Sequence, residues 1–428
     1  MLSYNATKII DWSSEYLNYV SAVKNKGKSV NRWFPILEGF SNSFVESIIR
    51  EQTSTELVCL DPFSGGGTTP LVAQELGAKC YSFEVSPFMS QVCRAKLRKD
   101  YKADEFLYVV GLIRSLLDRD IKHDFKIGLK TISKNQRLKK WLYHKTALES
   151  LLNIRKAIDV VGLEFPKYID ILYVALGSIL LQFSNVFRDG KALRYKDNWA
   201  KKTYKQKDIY NTFLDKCINS VFSDINAIVT SRYNNLDFFY NGDCRQLIDI
   251  IEDGSLDLVI TSPPYLNSRD YTDSHMIELW VLGHVLNYED VRLLRRKTMR
   301  SHVQVKWGDL PLPNSKILEN RLSQVLKYEE KFWNKNIPSM ITGYFCDLED
   351  ILRKLKTKIK KDGKLYINVA NSSYFGVVIE TDRIIEEIAS NLGYTINEIR
   401  LARRIKTSSQ QYEEVKWLRE TVIVLQNK

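Results

Sequence analysis

The chain has 428 residues, of which 44% are hydrophobic and 27% charged, an ordinary globular composition that excludes a disordered or fibrous protein. No stretch approaches the ~20 consecutive apolar residues of a membrane helix. Residues 1–12 lack the features of a secretory signal, and six scattered cysteines suggest no disulfide framework, so we expect a soluble protein of a reducing cytosol. A formal net charge of +12 favours a polyanionic partner without identifying one.

A strand, a glycine-rich turn and a helix are predicted over residues 56–76. The apolar run 57–60 leads into residues 61–69, DPFSGGGTT, and a second strand at 79–83 ends before Glu84. This alternation is typical of the start of a doubly wound α/β sheet.

Long helical patterns occupy residues 101–235. Leucines and isoleucines recur at helical spacing over 141–161 and 168–183, so we interpret this region as a helical insertion. The second helix ends in the loop 184–195, which is basic and aromatic. Such a loop can contact phosphates and stack on bases, although basic loops are usually only solvated.

The α/β pattern returns after the insertion. Strands are predicted at 236–240, 256–260, 364–369, 395–405 and 419–425, and helices at 348–359 and 382–392. The last two strands predict a terminal β-hairpin. Residues 287–342 are basic and irregular.

The glycine turn suits a ligand that the backbone approaches closely, because glycine has no Cβ and tolerates positive φ. It matches neither the phosphate-binding loop nor the dinucleotide spacing, since Thr68 and Thr69 follow the glycines and Pro70 stands where the last glycine would be. Glu84, at the end of the second strand, can accept both hydroxyl hydrogens of a ribose. The alternative is a tight turn with a surface acid.

The apolar strand 256–260 ends in residues 261–265, TSPPY. Two prolines fix the chain and donate no hydrogen bond, so carbonyl oxygens and the Ser262 hydroxyl remain as acceptors for an amino group. Tyr265 offers a flat face to a base. The alternative is a rigid turn with a packed tyrosine.

Together these motifs resemble those of S-adenosylmethionine-dependent DNA amino-methyltransferases, and the Ser-Pro-Pro-Tyr form resembles the cytosine-N4 branch. Residues 241–243 (NGD) and 267–280 (NSRDYTDSHMIELW) also resemble family segments, and residues 32–40 stand where the family packs against the methionine part of the cofactor. The loop 184–195 is similar to a segment of the same enzymes. The resemblance covers roughly the first hundred residues and 236–428.

The resemblance implies an α/β fold: a Rossmann-like class I methyltransferase sheet with a C-terminal β-hairpin, interrupted by a mainly helical insertion. We expect residues 1–100 to be the cofactor half and 236–428 the catalytic half. Residues 101–235 are then the insertion and a candidate DNA-recognition region, with 287–342 as a further candidate.

The resemblance also implies site residues. The catalytic turn would be Ser262, Pro263, Pro264 and Tyr265. The residues expected to bind S-adenosylmethionine are Trp33, Pro35, Asp61, Phe63, Ser64, Gly65, Gly67, Thr68, Glu84, Asp243 and Thr261. Those expected to contact DNA are Arg188, Lys191, Arg194, Tyr195, Arg269 and Tyr271.

The implied activity is methylation of cytosine N4 in double-stranded DNA, within a restriction-modification system and beside a cognate endonuclease. Adenine N6 remains an alternative target, RNA amino-methylation is a third, and a noncatalytic DNA-binding subunit is a different class. No cysteine follows a proline, so the covalent cytosine-C5 route has no candidate nucleophile. The five histidines are dispersed and predict no metal, and the expected location is the bacterial or archaeal cytoplasm, at the nucleoid.

Overall fold

With one exception, at 236–240, the predicted strands are present in the computed structural model, which describes the chain except residues 1–5, 37, 55, 135–137, 190–191, 227, 229–230, 267–269, 306–307, 309 and 408–413. The strands are β1 (Ile9–Asp11), β2 (Val58–Asp61), β3 (Lys79–Glu84), β4 (Val186–Asp189), β5 (Ala192–Tyr195), β6 (Phe239–Asn241), β7 (Leu256–Thr261), β8 (Ile359–Ala370), β9 (Ser372–Tyr374), β10 (Val377–Ile379), β11 (Tyr394–Lys406) and β12 (Trp417–Asn427).

Eight of these strands form one sheet in the order β1-β11-β12-β8-β7-β2-β3-β6. Strands β6, β3, β2, β7 and β8 are parallel, whereas β12 is antiparallel to β8 and to β11. The predicted Rossmann-like class I sheet with a terminal β-hairpin is confirmed. Because parallel strands end at one edge, the turns after β2, β3 and β7 lie together, and this edge is where ligands bind in open α/β sheets.

The helices pack against the faces of the sheet and against one another. They are α1 (Ser13–Tyr16), α2 (Asn42–Arg50), α3 (Thr68–Glu75), α4 (Pro87–Leu97), α5 (Ala103–Asp118), α6 (Lys145–Gly162), α7 (Ile169–Phe183), α8 (Gln206–Lys216), α9 (Ser223–Ile225), α10 (Cys244–Leu247), α11 (Tyr271–Ser274), α12 (Met276–Val281), α13 (Tyr288–Lys297), α14 (Lys316–Leu326), α15 (Ile337–Lys358) and α16 (Thr381–Asn391).

The apolar core has three parts. One lies between the sheet and helices α15 and α16, and a second packs α2 and α3 on the sheet. The third joins α5–α8 to α4, so the predicted insertion, residues 101–235, shares a core with residues 1–100. A contiguous core of this kind holds the insertion rigidly beside the sheet. Among the described residues, no helix combines the length and the apolar character needed to cross a bilayer.

The structure differs from the sequence prediction at four places. The strand predicted at 236–240 is instead a 3₁₀ helix, Asn235–Phe238, followed by the short strand β6. The loop 184–195 contains an antiparallel hairpin, β4 and β5, and residues 287–342 contain α13 and α14 instead of being irregular. Helix α13 begins at an Asn287 capping box, a local signal that the basic composition obscured. The helix predicted at 348–359 begins at Ile337, where Pro338 is tolerated in the first turn.

Candidate active site

A cavity of about 340 Å³ lies at the carboxyl ends of β2, β3 and β7. The glycine turn and Glu84 line one part of it, and the Ser262–Tyr265 turn lines another. The predicted cofactor and catalytic residues that share this cavity are Asp61, Phe63, Ser64, Gly65, Thr68, Glu84, Asp243, Ser262, Pro263, Pro264 and Tyr265.

Asp61 connects the glycine turn to the end of β7. Its carboxylate accepts hydrogen bonds from the hydroxyls of Thr69 (2.6 Å) and Thr261 (2.8 Å) and from the backbone N–H of Phe63 (3.0 Å). Burial nevertheless raises the pKa of Asp61 to about 6, since desolvation outweighs the three hydrogen bonds. Asp61 thus links the ends of β2 and β7 by hydrogen bonds. Thr261 contacts Asp61 but does not line the cavity.

The glycine turn requires glycine at two positions. Gly65 and Gly67 have φ values of +51° and +81°, a region that side chains rarely adopt. A Cβ at Gly67 would lie 2.6 Å from the sulfur of Cys93, so helix α4 approaches this turn too closely for a side chain. Gly67 therefore shapes the turn from behind and does not line the cavity.

Glu84 lies at the end of β3 and is held by backbone donors. One carboxylate oxygen accepts from the Ser86 N–H (2.7 Å) and the other from the Gly65 N–H (2.8 Å). Burial, with the negative charge of Asp61 nearby, raises the pKa of Glu84 to about 7. A carboxylate oxygen has more than one lone pair, so Glu84 can still accept hydrogen bonds from a ligand in the cavity.

The catalytic turn leaves β7 with Ser262 and Pro264 at the cavity wall. The hydroxyl of Tyr265 donates a 2.5 Å hydrogen bond to Glu420 on β12 and accepts one of 3.0 Å from the side-chain amide of Asn368 on β8. Burial and the charge of Glu420 raise the pKa of Tyr265 well above its usual value, so its hydroxyl stays protonated.

A segment that the sequence treated as possible DNA-reading chain forms part of the cavity wall. Residues 297–299, 301 and 302 line it, from the last residue of α13 onward. Arg245 fastens this segment, because its guanidinium donates to the carbonyls of Lys297 (3.2 Å) and Thr298 (3.4 Å). The same guanidinium pairs with Asp243 (2.6 Å), whose carboxylate also caps α10. Asp243 therefore lines the cavity with its charge already compensated.

Two residues expected to bind the cofactor lie elsewhere. Trp33 is fully buried in the core shared with the insertion, and its indole N–H donates to Asp224 (3.0 Å), so it does not line the cavity. Pro35 does not line it either. The chain reaches the cavity slightly later, at Ile36 and Phe40. The segment 32–40 therefore does reach the cavity, but through Ile36 and Phe40 instead of Trp33 and Pro35.

The expected DNA-contacting residues separate into three groups. The guanidinium of Arg188 donates to the carbonyl of Ser274 (3.0 Å) and pairs with buried Glu278 (2.9 Å), and its expected contact with DNA stays a prediction. Arg194 is exposed and pairs with Asp189, and Tyr195 is half-buried. Tyr271 lines the cavity. Lys191 and Arg269 lie outside the described residues.

Sequence reasoning missed the residues behind Tyr265. Glu420 and Arg403 line the cavity, and neither belongs to a recognised motif. The available signal was a carboxylate directly before the buried run 421–425. In the described parts of the chain, no three His, Cys, Asp or Glu side chains are grouped to hold a metal ion.

Comparison with known proteins adds sequence relatives. A family model described as DNA methylase matches residues 12–94. The chain is 26% identical to the type II methyltransferase M.AvaI of Nostoc sp. over 421 residues, and 27% identical to M.BsoBI of Geobacillus stearothermophilus over 448. Each alignment covers 92% of this chain and 84% of the relative.

Solved structures also align with the chain. The rRNA methyltransferase aviRa from Streptomyces viridochromogenes aligns at 8% identity with a TM-score of 0.27, covering 92% of this chain and 87% of that one. A putative sarcosine dimethylglycine methyltransferase from Galdieria sulphuraria aligns at 6% identity with a TM-score of 0.30, covering 90% and 85%.

The ordered motifs, the family match and the two sequence relatives agree with one another. S-adenosylmethionine is the cofactor of these enzymes, and Glu84 and the glycine turn, which are expected to bind it, line the same cavity. The family match and the two relatives therefore support the assignment of the chain to the DNA amino-methyltransferases that its motifs resemble.

Proposed function

We propose that the protein methylates the exocyclic N4 of cytosine in duplex DNA, as the modification enzyme of a type II restriction-modification system with a cognate endonuclease. The observation that carries the proposal is the Ser262–Tyr265 turn, which shares one cavity with Glu84 and the glycine turn. The biological setting is inferred from the type II relatives.

The fit of S-adenosylmethionine rests on the donor and acceptor set. Glu84 would accept the ribose hydroxyls, and Phe63, Ser64 and Gly65 would face the rest of the molecule. Ile36 and Phe40 supply apolar wall nearby. When bound, the cofactor supplies an electrophilic methyl group on its sulfonium.

Ser262 and Tyr265 are assigned to the target base. The exocyclic nitrogen is a poor nucleophile because its lone pair is delocalised into the ring. The Ser262 hydroxyl and the Pro263 carbonyl would accept its hydrogens and favour a tetrahedral nitrogen, while Tyr265 stacks on the ring. Cys244 also lines the cavity, but burial raises the pKa of its thiol well above the usual value, so it stays neutral and is a poor nucleophile.

Serine favours cytosine over adenine on the strength of the family resemblance. Extracting either base from the duplex costs a few kcal/mol, and phosphate contacts would offset part of this cost. Adenine N6 is the alternative that the same cavity chemistry allows.

The DNA is assigned to a surface of the insertion that we call the basic face: Lys139, Lys140, Lys145, Arg194 and Lys201, all exposed. Two chain segments meet there, since the Trp141 and Trp199 rings are 4.6 Å apart. Residues 130–145 contain no Asp or Glu. Hairpin β4–β5 anchors this face next to α11, whose Tyr271 lines the cavity. A dense positive surface beside the cavity suits a phosphate backbone.

The proposal is tested by expressing the chain in cells that lack DNA methylation and analysing their nucleosides by mass spectrometry. We expect N4-methylcytosine, and none from a Ser262→Ala control. N6-methyladenine alone would overturn the base assignment and keep the enzyme class. Methylated RNA with unmodified DNA would contradict the substrate, and no methylation despite bound S-adenosylmethionine would favour a noncatalytic subunit.

A further inference from the structure

The ring of Tyr265 is fixed at both ends. Its backbone follows the two prolines of the catalytic turn, which restrict the chain. Its hydroxyl donates to Glu420 (2.5 Å) and accepts from Asn368 (3.0 Å), so strands β12 and β8 hold the far end of the side chain. Fixing both ends leaves the ring little freedom to rotate.

Glu420 is an unusual acceptor because its carboxylate is buried in the sheet. Its side chain is only 1% exposed, and it lies directly opposite Arg403 in the antiparallel pairing of β11 and β12. The Arg403 guanidinium donates to the second carboxylate oxygen at 2.5 Å, which compensates the buried charge. One oxygen is therefore committed to Arg403, and the other is left to receive Tyr265.

Both members of this pair line the cavity, on the side of the catalytic turn. A comparable ion pair, between Arg419 of the same strand and Asp382, does not line the cavity. Arg419 donates to buried Asp382 at 3.0 Å. The chain thus contains an internal reference for a purely structural pair of the same type.

We propose that Glu420, supported by Arg403, is a positioning residue that holds the Tyr265 ring in the orientation needed to stack on the flipped base. This proposal rests on the function proposed above. In this role Glu420 acts on the base through the tyrosine hydroxyl. Preorganising the ring during folding removes the cost of immobilising it when the base arrives.

The test uses the full chain and single-turnover methylation of DNA that the parent protein methylates. Tyr265→Phe removes only the hydroxyl, and Glu420→Leu removes its acceptor. We expect each variant to lower the methylation rate about tenfold while the dissociation constant of S-adenosylmethionine stays within about twofold. The double variant should lose about tenfold, not a hundredfold, because the two changes share the Tyr265–Glu420 contact. Glu420→Gln, whose side chain can still hydrogen-bond to the Tyr265 hydroxyl but has only one acceptor oxygen, should recover part of the rate.

Asp382→Asn provides the matched control. It weakens the reference pair, so thermal melting shifts while the rate measured well below the melting temperature is unchanged. If Glu420→Leu behaves like this control, the positioning role is wrong.

A parental rate in Tyr265→Phe would also overturn the role, and this variant is informative even if Glu420→Leu does not fold. A Tyr265→Ala variant separates the two proposals. If Tyr265→Ala lowers the methylation rate and Tyr265→Phe does not, the stacking role of Tyr265 is supported and the positioning role of Glu420 is wrong. If Tyr265→Ala has the parental rate, both the stacking role of Tyr265 and the positioning role of Glu420 are wrong.

Discussion

The glycine turn and the helical insertion hold their polar side chains in different ways. Around the turn, Glu84 is held by two backbone N–H donors: that of Ser86, two residues later, and that of Gly65, in the turn after the neighbouring strand β2. In the insertion, Arg188 is fixed by Ser274 and Glu278, which are 86 and 90 residues away in the chain. The first kind of contact follows from local geometry, and the second depends on how distant segments pack.

The largest effect is expected at the catalytic turn. Ser262→Ala should lower the methylation rate by about 100-fold or more, comparable to the loss of one catalytic hydrogen-bonding group, with little change in cofactor affinity. Rapid-quench kinetics and calorimetry on the same preparation would measure both. Equal loss of rate and of cofactor affinity would mean that the turn supports the cavity as a whole.

Arg188 gives the sharpest contrast with an exposed cation of the same hairpin. Arg188→Ala leaves the Glu278 carboxylate, 1% exposed, without its charge partner, and should lower the free energy of unfolding by about 3 kcal/mol. Arg194→Ala, at a site 69% exposed, should change it by less than about 1 kcal/mol. Urea unfolding would compare them, and equal stabilities would contradict the buried-pair assignment.

The raised pKa of Glu84 predicts that both stability and cofactor affinity depend on pH. Its pKa rises from an ordinary 4.5 to about 7 in the fold, so the folded protein binds this proton more tightly than the unfolded chain. The contribution of Glu84 to stability is therefore present below about pH 4.5 and is lost as pH rises through about 7. Ribose hydroxyls donate to the ionised carboxylate, so affinity for S-adenosylmethionine should rise over the same upper range.

Calorimetry from pH 6 to 8 would measure this rise, and Glu84→Gln is the control. That variant should bind the cofactor about tenfold more weakly at pH 8, the loss of a charged hydrogen bond, and its affinity should not vary with the Glu84 titration. An unchanged slope in Glu84→Gln would assign the pH dependence to another group.

Particular residues show how far the sequence could be interpreted. The glycine turn, Glu84 and the TSPPY turn were identifiable because glycine, proline and strand-end acids have local conformational meaning. Trp33 was assigned to the cofactor by its position in a segment, but its orientation depends on Asp224 across the insertion core. Glu420 was missed because its meaning depends on a cross-strand partner, Arg403, and on Tyr265, which lies 155 residues earlier.

The smallest effect is expected on the basic face, where each lysine contributes one screened contact. Replacing Lys139, Lys140 and Lys145 by alanine should weaken binding to non-specific duplex DNA severalfold at physiological salt. It should also reduce the slope of log affinity against log salt by up to about 0.9 per lost phosphate contact. Cofactor affinity should not change, because none of the three lines the cavity.

The matched control removes three lysines from the opposite edge of the sheet. Lys360, Lys361 and Lys364 lie toward the start of β8, whereas the cavity is at the carboxyl ends of the parallel strands. Their triple alanine variant has the same net charge, so any long-range effect of charge alone is reproduced there. A steeper loss on the basic face would assign DNA to the insertion. Equal slopes in the two variants would instead mean that the insertion only reinforces the cofactor half, and residues 287–342 would become the next surface to test.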